Sequence, residues 1–178
     1  MLLLTGPPGS GKTSTARLIA TRAERGAHVE ADAFFDFVRG GYIEPWRPES
    51  HPQNETVMQA VAAAAAAYAG GGYTTIVEGI ILPRWFLTPL SSALADRGHL
   101  VSYMILRPPL QTCIARAATR GGGELSNADV ITQIWNEFAD VGPLEPHVIE
   151  VDDVDPEDLA TVVIERSRYG TTRIQQPG

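Results

Sequence analysis

Hydrophobic and polar residues alternate along the chain in blocks that predict strands and helices in turn. Short apolar runs rich in leucine, isoleucine, valine and threonine are typical of strands, and they lie at 2–5, 28–32, 73–79, 99–107 and 147–152. Longer runs of helical composition separate them, at 12–26, 55–69, 84–97, 109–119, 127–140 and 155–167. Strands that alternate with helices of this length predict an α/β fold, with helices on both faces of a parallel sheet.

The boundaries of these blocks predict one domain and two irregular segments. Gly26 is expected to end the first helix. Residues 40–54 are rich in proline and aromatic residues and are predicted to form a long, functional loop. Residues 168–178 are expected to form a frayed C-terminal tail. A chain of 178 residues is long enough for a single core, so residues 1–167 are predicted to form one domain.

Composition narrows the classes of partner. The net charge of −7 and the pI of about 5.0 disfavour nucleic-acid binding, which needs a basic face. Cys113 is the only cysteine, so it is expected to be a buried thiol in a reducing compartment. The leucine-rich start lacks a basic region, and no apolar run reaches the ~20 residues that cross a bilayer. These features predict a cytoplasmic protein without a membrane segment, either a monomer or a homodimer.

One segment carries a specific motif. Residues 6–13 read GPPGSGKT and match G-x-x-x-x-G-K-[ST] between a predicted strand and a predicted helix. Lys12 is the only lysine in a chain that has 13 arginines. Its compact ammonium can reach the β- and γ-phosphates inside a tight loop, where a planar guanidinium would not fit. The motif predicts that a nucleoside triphosphate binds to Gly6, Pro7, Pro8, Gly9, Ser10, Gly11, Lys12, Thr13 and Ser14.

Two acidic residues come at the ends of predicted strands, where ligands bind to parallel sheets. Asp32 ends the second strand and is the predicted catalytic base, although it could instead cap a short helix that follows. Glu78 ends the third strand and is predicted to contact substrate and to hold Mg²⁺ together with Thr13. The alternative for Glu78 is a role confined to its own loop.

The arginines near the fourth helix predict a closing segment. Arg116 and Arg120 lie four residues apart, so they share one helix face, and three glycines follow at 121–123. This pattern favours a lid over 116–128 whose arginines stabilise charge during catalysis, rather than a merely solvated helix face.

The residues predicted to contact an acceptor lie in three places. Trp46 lies in the proline-rich segment, within a predicted acceptor-binding region at 40–70. Phe35 follows the candidate base, and Arg84 follows the third strand. A surface salt bridge is the alternative role for Arg84.

Four stretches together resemble the small P-loop kinases: LLLTGPPGSGKTSTARLIA, VEAD, TIVEG and RPPLQTCIARAATR. The chain is similar to the branch that includes chloramphenicol phosphotransferase, the zeta-toxin kinases, gluconate kinase and adenylylsulfate kinase. The resemblance implies a three-layer P-loop NTPase fold with a five-stranded parallel sheet in the order 2-3-1-4-5. It also implies ATP and Mg²⁺, a base at Asp32, and lid arginines at Arg116 and Arg120.

The predicted function is ATP-dependent phosphorylation of a hydroxyl group on a small molecule, such as an antibiotic, a sugar or a nucleotide sugar. One alternative is a regulatory nucleotide-binding protein that hydrolyses slowly. The guanine-specifying Asn-Lys-x-Asp run is impossible here because the only lysine is already part of the phosphate loop. A nucleotide or nucleic-acid-end kinase is the other alternative. The acidic composition disfavours it, and EGIILPR differs from the Asp-Gly-x-Pro-Arg run of nucleoside-monophosphate kinases.

Overall fold

The computed structural model describes residues 1–119, 127–170 and 172–174. Its five-stranded sheet is parallel, with the order β2-β3-β1-β4-β5, which confirms the predicted fold class and strand order. The strands are β1 (Leu2–Thr5), β2 (Gly26–Glu30), β3 (Thr74–Gly79), β4 (Ser102–Arg107) and β5 (Val148–Glu150). The α-helices of the described part are α1 (Lys12–Arg22), α2 (His51–Gly70), α3 (Thr88–Ala95), α4 (Leu110–Thr119), α5 (Ala128–Ala139) and α6 (Pro156–Arg168).

The sheet separates two apolar cores because successive strand residues point to opposite faces. Leu3, Val77 and Tyr103 face α2, α3 and the end of α5. Leu4 and Met104 face α1 and α6. Burial on both faces explains why the strands read as continuous apolar runs rather than as alternating ones.

Two predicted helix boundaries are wrong for identifiable reasons. Helix α1 ends at Arg22, and Gly26 begins β2 instead of ending the helix. A Cβ atom on Gly26 would overlap the backbone of Ala20, so only glycine lets β2 pass this close to α1. Helix α2 starts at His51, four residues earlier than predicted, because Pro52 fits the first helical turn, where its missing N–H costs nothing.

The described part of the tail is attached to the sheet, contrary to the expected frayed end. The backbone N–H of Tyr103 donates to the carbonyl of Thr172 over 2.9 Å. The N–H of Ile174 donates to the carbonyl of Val101 over 3.0 Å. Residues 172–174 therefore lie alongside the start of β4. No helix in the described part of the chain is long and apolar enough to span a membrane.

Candidate active site

The phosphate loop lies between β1 and α1, as the motif requires. Residues 2–10 are buried, and Lys12 is only 6% exposed. The loop turns through a hydrogen bond from the N–H of Ser10 to the carbonyl of Pro7, over 3.1 Å. A Cβ on Gly9 would lie 2.5 Å from the carbonyl oxygen of Cys113, so glycine at this position lets α4 pack directly on the loop. Cys113 is fully buried at this contact, as predicted.

A cavity of about 310 Å³ opens beside this loop, between α4 and the connection from β5 to α6. Ser14 and Thr15 line one side, Arg116 lines another, and Val154 and Leu159 supply apolar surface. This volume is at the lower end of the range for small-ligand sites, which is about 300–1,000 Å³. The cavity brings Arg116 and the phosphate loop together around one space.

A larger cavity, of about 610 Å³, lies at the opposite edge of the sheet. Thr74 and Ser102, the first residues of β3 and β4, line it. Ligands of parallel sheets bind outside the carboxyl ends of the strands, where the phosphate loop lies. We therefore do not assign the nucleotide to this larger cavity.

Asp32 lies two residues beyond the end of β2 and begins a short 3₁₀-helix, Asp32–Phe37. The alternative role as a helix cap is wrong, because Ala31 occupies the cap position and no side chain caps the helix. The Asp32 carboxylate instead accepts a hydrogen bond from the N–H of Ile80, over 3.1 Å. Burial raises the pKa of Asp32, and the positive charge of Lys12 opposes that shift. Asp32 is thus a partly buried proton acceptor near the lysine of the phosphate loop.

The last residue of β3 leaves room for this carboxylate. A Cβ on Gly79 would lie 2.9 Å from Oδ1 of Asp32. Glycine at this position therefore allows the carboxylate to lie against the end of β3. The place of Asp32 near a strand end made it predictable from the sequence, but its hydrogen-bond partner, Ile80, comes directly after the neighbouring strand β3.

Glu78 is 1% exposed and lies on the sheet face covered by α1 and α6, beside Leu4. Within the described residues, neither of its carboxylate oxygens has a hydrogen-bond partner, and Nε2 of His28 lies 3.4 Å from Oε1. The hydroxyls of Ser10 and Thr15 are also buried without partners in that part of the chain. Buried polar groups are normally paired, so each of these oxygens has hydrogen-bonding capacity to offer a ligand.

Oxygens of this chemical type suit Mg²⁺. The ion prefers oxygen ligands and usually combines one or two protein groups with substrate phosphates and water. Thr13 is half-buried at the start of α1. No group of three or more His, Cys, Asp or Glu side chains in the described ranges could hold a metal by itself. A metal at this site would therefore depend on the phosphates of a nucleotide.

The arginines have separate roles. Arg107 ends β4, but its guanidinium pairs with Glu145 and Glu150 and also donates to the backbone carbonyls of Phe138 and Ala139. This network joins β4, β5 and α5, so Arg107 serves the fold.

The other arginines were predicted to contact phosphate or substrate. Arg84 is exposed in a π-helical turn, Pro83–Leu87, and has no ion pair within the described ranges. Arg120 and most of the predicted lid, residues 120–126, lie outside the described residues.

The aromatic residues only partly follow prediction. Trp46 is 47% exposed and lines a small apolar cavity, of about 110 Å³, together with Trp85, which is 55% exposed. Phe35, predicted to contact substrate, is instead buried in the core beside α2, because the 3₁₀-helix turns it inward. Trp85 was not predicted from the sequence to be a cavity residue. Its position at the start of a helical turn, beside the exposed Arg84, was the available signal.

The comparisons with known proteins establish the family and the fold of the chain. A family model described as an AAA domain, AAA_33, matches residues 1–142. The chain belongs to this family. No curated protein matches the chain in sequence.

Several solved structures share the fold across nearly the whole chain. A tunicamycin resistance protein of Deinococcus radiodurans has a TM-score of 0.70 at 23% identity, covering 98% of each chain. The APS kinase CysC of Mycobacterium tuberculosis, in complex with AMPPNP and APS, has a TM-score of 0.71 at 19% identity, covering 94% of this chain and 96% of its own. A sugar kinase of Janibacter sp. has a TM-score of 0.65 at 22% identity, covering 92% of this chain and 91% of its own. This AAA-domain protein therefore shares the P-loop NTPase fold of these structures, as the sequence resemblance implied.

Proposed function

We propose that this protein is an ATP-dependent phosphotransferase that moves the γ-phosphate of ATP to a hydroxyl group of a small molecule. The observation that carries this proposal is the position of Asp32. It is a carboxylate with a raised pKa, close enough to Lys12 for the two charges to interact. A base beside the phosphate loop suits transfer to an acceptor hydroxyl, because the attacking oxygen must lose a proton.

The residues of the loop would hold the triphosphate. Backbone N–H groups between Gly9 and Ser14 would bind its β-phosphate at the start of α1, where the helix dipole favours negative charge. Lys12 would reach the β- and γ-phosphates, and Arg116 would add positive charge from α4. Arg120 would act with Arg116 if the segment 116–128 closes over the site as a lid.

Asp32 would act on the acceptor. The acceptor oxygen forms a bond to the γ-phosphorus while the bond from phosphorus to the β–γ bridging oxygen breaks. The hydroxyl proton passes to the Asp32 carboxylate, and ADP leaves. Thr13 and Glu78 would hold Mg²⁺, which when bound would neutralise charge on the phosphates.

The proposed acceptor class is an antibiotic, a sugar or a nucleotide sugar, bound by residues 40–70. The similar structures named as a tunicamycin resistance protein and a sugar kinase support this range, and the APS kinase structure with AMPPNP supports ATP as the donor. Because Cys113 is buried and unpaired, a reducing compartment such as the cytoplasm suits the protein. We expect it to act as a monomer or a homodimer.

The test is a screen of ADP release from ATP and Mg²⁺ in the presence of pooled alcohols. The pools would hold tunicamycin, amphenicols, aminoglycosides, macrolides, nucleosides, nucleotide sugars and simple sugars. We expect one pool to raise ADP release with the wild-type protein but not with Asp32→Asn, and to yield a phosphorylated product by mass spectrometry. If no pool raises ADP release while ATP binds tightly, the result contradicts the proposal and favours the regulatory nucleotide-binding alternative.

A further inference from the structure

The cavity between Trp46 and Trp85 is built like a binding site for a ring. It lies where the segment before α2, the π-helical turn and α5 meet, and Leu82, Phe86 and Ile134 complete its apolar walls. Its volume of about 110 Å³ is smaller than the apolar cavity of about 150 Å³ that binds benzene, so it would hold part of one small ring, with the rest of the ring in the open cleft. Two half-exposed indoles facing one cleft leave much apolar surface in water, and a ligand ring would cover that surface.

The wall that carries Trp46 is held in place by hydrogen bonds to α2. The side-chain amide of Gln53 accepts from the N–H of Ile43 over 2.9 Å and donates to the carbonyl of the same residue over 2.6 Å. The hydroxyl of Ser50 donates to the carbonyl of Pro45 over 2.9 Å. The cavity wall is therefore formed before any ligand binds, which lowers the entropy cost of binding.

Asn54 supplies a polar group that lacks a partner. It is 6% exposed, lines the cavity, and directs its Nδ2 to the carbonyl of Pro45 and to the hydroxyl of Ser50, both over 2.8 Å. These two bonds set the orientation of the amide. Oδ1 is left buried without a hydrogen-bond partner in the described part of the chain. A ligand O–H or N–H donor would satisfy this buried acceptor, provided that the neighbouring side chains move to admit it.

The charges around the cavity disfavour an anion. Arg47 is already paired with Glu44, over 3.2 Å. Nε2 of His51 lies 3.4 Å from Glu55, and Glu137 adds a carboxylate at the edge. Among the described residues that line the cavity, no arginine or lysine is left without an acidic partner. Among the described lining residues, an anionic ligand would therefore meet only the paired guanidinium of Arg47, since the unpaired Arg84 precedes Trp85 without lining the cavity.

The cavity is also close to the candidate base. Leu82 lines it and lies two residues after Ile80, whose N–H binds Asp32. Two residues span at most about 7 Å of chain. An acceptor bound by its ring in the cavity would therefore need a substituent of about this length or longer to bring a hydroxyl group to Asp32.

We propose that the cavity bounded by Trp46, Trp85 and Asn54 binds the ring of the phosphate acceptor, and that this acceptor is an uncharged alcohol with a flat or apolar ring face. The inference rests on the proposed phosphotransferase function, because it takes Asp32 as the base. It narrows that function by excluding acceptors whose ring-bearing part is anionic.

The test uses matched pairs of probes that differ in charge: phenyl glucoside with phenyl glucuronide, and uridine with uridine monophosphate. Binding to the full chain, saturated with a non-hydrolysable ATP analogue, would be measured by calorimetry and by quenching of tryptophan fluorescence. We expect the uncharged member of at least one pair to bind about tenfold more tightly than its anionic partner. Equal or tighter binding of both anionic members, or no binding by any of the probes, would overturn the inference.

Variants of the two tryptophans locate the binding. Trp46→Ala and Trp85→Ala should each weaken binding of the uncharged probe about three- to tenfold, the range expected for loss of one aromatic contact, with nucleotide affinity unchanged. Both side chains are half exposed, so the variants should fold, and circular dichroism would verify this. Tyr169→Ala is the matched control, because it removes an aromatic side chain that is 80% exposed at the end of α6 and should change nothing. Trp85→Phe should restore part of the affinity.

Failure of this inference and failure of the proposed function give different results. If an acceptor raises ADP release but its KM is unchanged in both alanine variants, phosphotransfer stands and the ring site is wrong. If the uncharged probes bind, depend on both tryptophans, and are accompanied by no phosphotransfer to any alcohol, the ring site stands and the proposed function is wrong.

Discussion

Asp32→Asn is the substitution that isolates the charge of the candidate base. Asparagine has nearly the same shape, and its Oδ1 can still accept the hydrogen bond from the N–H of Ile80 that the carboxylate accepts over 3.1 Å. The change therefore removes the negative charge and the proton acceptor while it leaves the local contact in place. General base catalysis contributes about 10²–10⁴-fold to a rate. We expect turnover to fall by this factor, which is about 2.7–5.4 kcal/mol in the activation barrier.

The assay measures steady-state ADP release with the acceptor found in the screen, and ATP affinity by calorimetry. ATP affinity should be unchanged or slightly higher, because the variant removes a negative charge near Lys12. The wild-type rate should rise with pH through the raised pKa of Asp32, whereas the variant should lack this rise. Turnover within about threefold of wild type, with the same pH profile, would refute Asp32 as the base.

The same variant should be more stable than the wild type at neutral pH. Burial raises the pKa of Asp32 from its ordinary value of 3.8, so the folded state favours the protonated carboxyl. The folded protein is then destabilised as pH rises through this raised pKa, by about 1.4 kcal/mol for each unit of the shift. Urea unfolding at several pH values should show a larger unfolding free energy for Asp32→Asn at pH 7–8, with the difference disappearing toward pH 4. A wild type that is more stable at pH 7 would contradict this account.

Three other contacts lead to measurable outcomes. Arg107→Lys should lower the unfolding free energy by about 1–3 kcal/mol, because one ammonium cannot bind both carboxylates and both carbonyls that the guanidinium binds. The exposed Arg84→Lys is the control. Equal urea midpoints for Arg107→Lys and the wild type would contradict the structural role of Arg107. Gly9→Ala should weaken ATP binding at least about tenfold and lower Tm, because the new Cβ would lie 2.5 Å from the carbonyl oxygen of Cys113 and residue 9 has a φ of 80°, which strains alanine. An ATP affinity equal to that of the wild type in a calorimetric titration would refute the predicted weakening. Burial raises the pKa of the Cys113 thiol to about 11. Alkylation of this thiol by iodoacetamide at pH 8 should therefore be at least about a hundredfold slower in the folded protein than in urea. Comparable alkylation rates in the two conditions would show that the thiol is accessible in the folded protein.

Features encoded by neighbouring residues were predictable from the sequence. The phosphate motif occupies residues 6–13, and its context requires only the strand before it and the helix after it. The parallel sheet was predictable because burial on both faces makes each strand a short apolar run, and the helices between the strands fit crossover connections. The strand order 2-3-1-4-5 came from the family resemblance, since the pattern of one sequence does not specify which strands are neighbours.

Side-chain partners distant in sequence could not be predicted in this way. Arg107 ends a strand, as a phosphate-binding residue would, but Glu145 and Glu150 lie 38 and 43 residues away along the chain and fold onto it. Phe35 and Trp46 are both aromatic residues near candidate ligand-binding segments. One is 9% exposed and the other 47% exposed, because only the first is turned toward α2.

The local pattern thus established that the chain forms an α/β domain with a triphosphate loop, because backbone propensity, burial and loop chemistry act over a few residues. The packing of the chain established which acid is held beside Lys12, which arginine is committed to the fold, and that Trp46 and Trp85 share a cavity. These outcomes depend on contacts between segments tens of residues apart. Their positions follow from how the helices cover the sheet, and the types of the individual residues do not encode that arrangement.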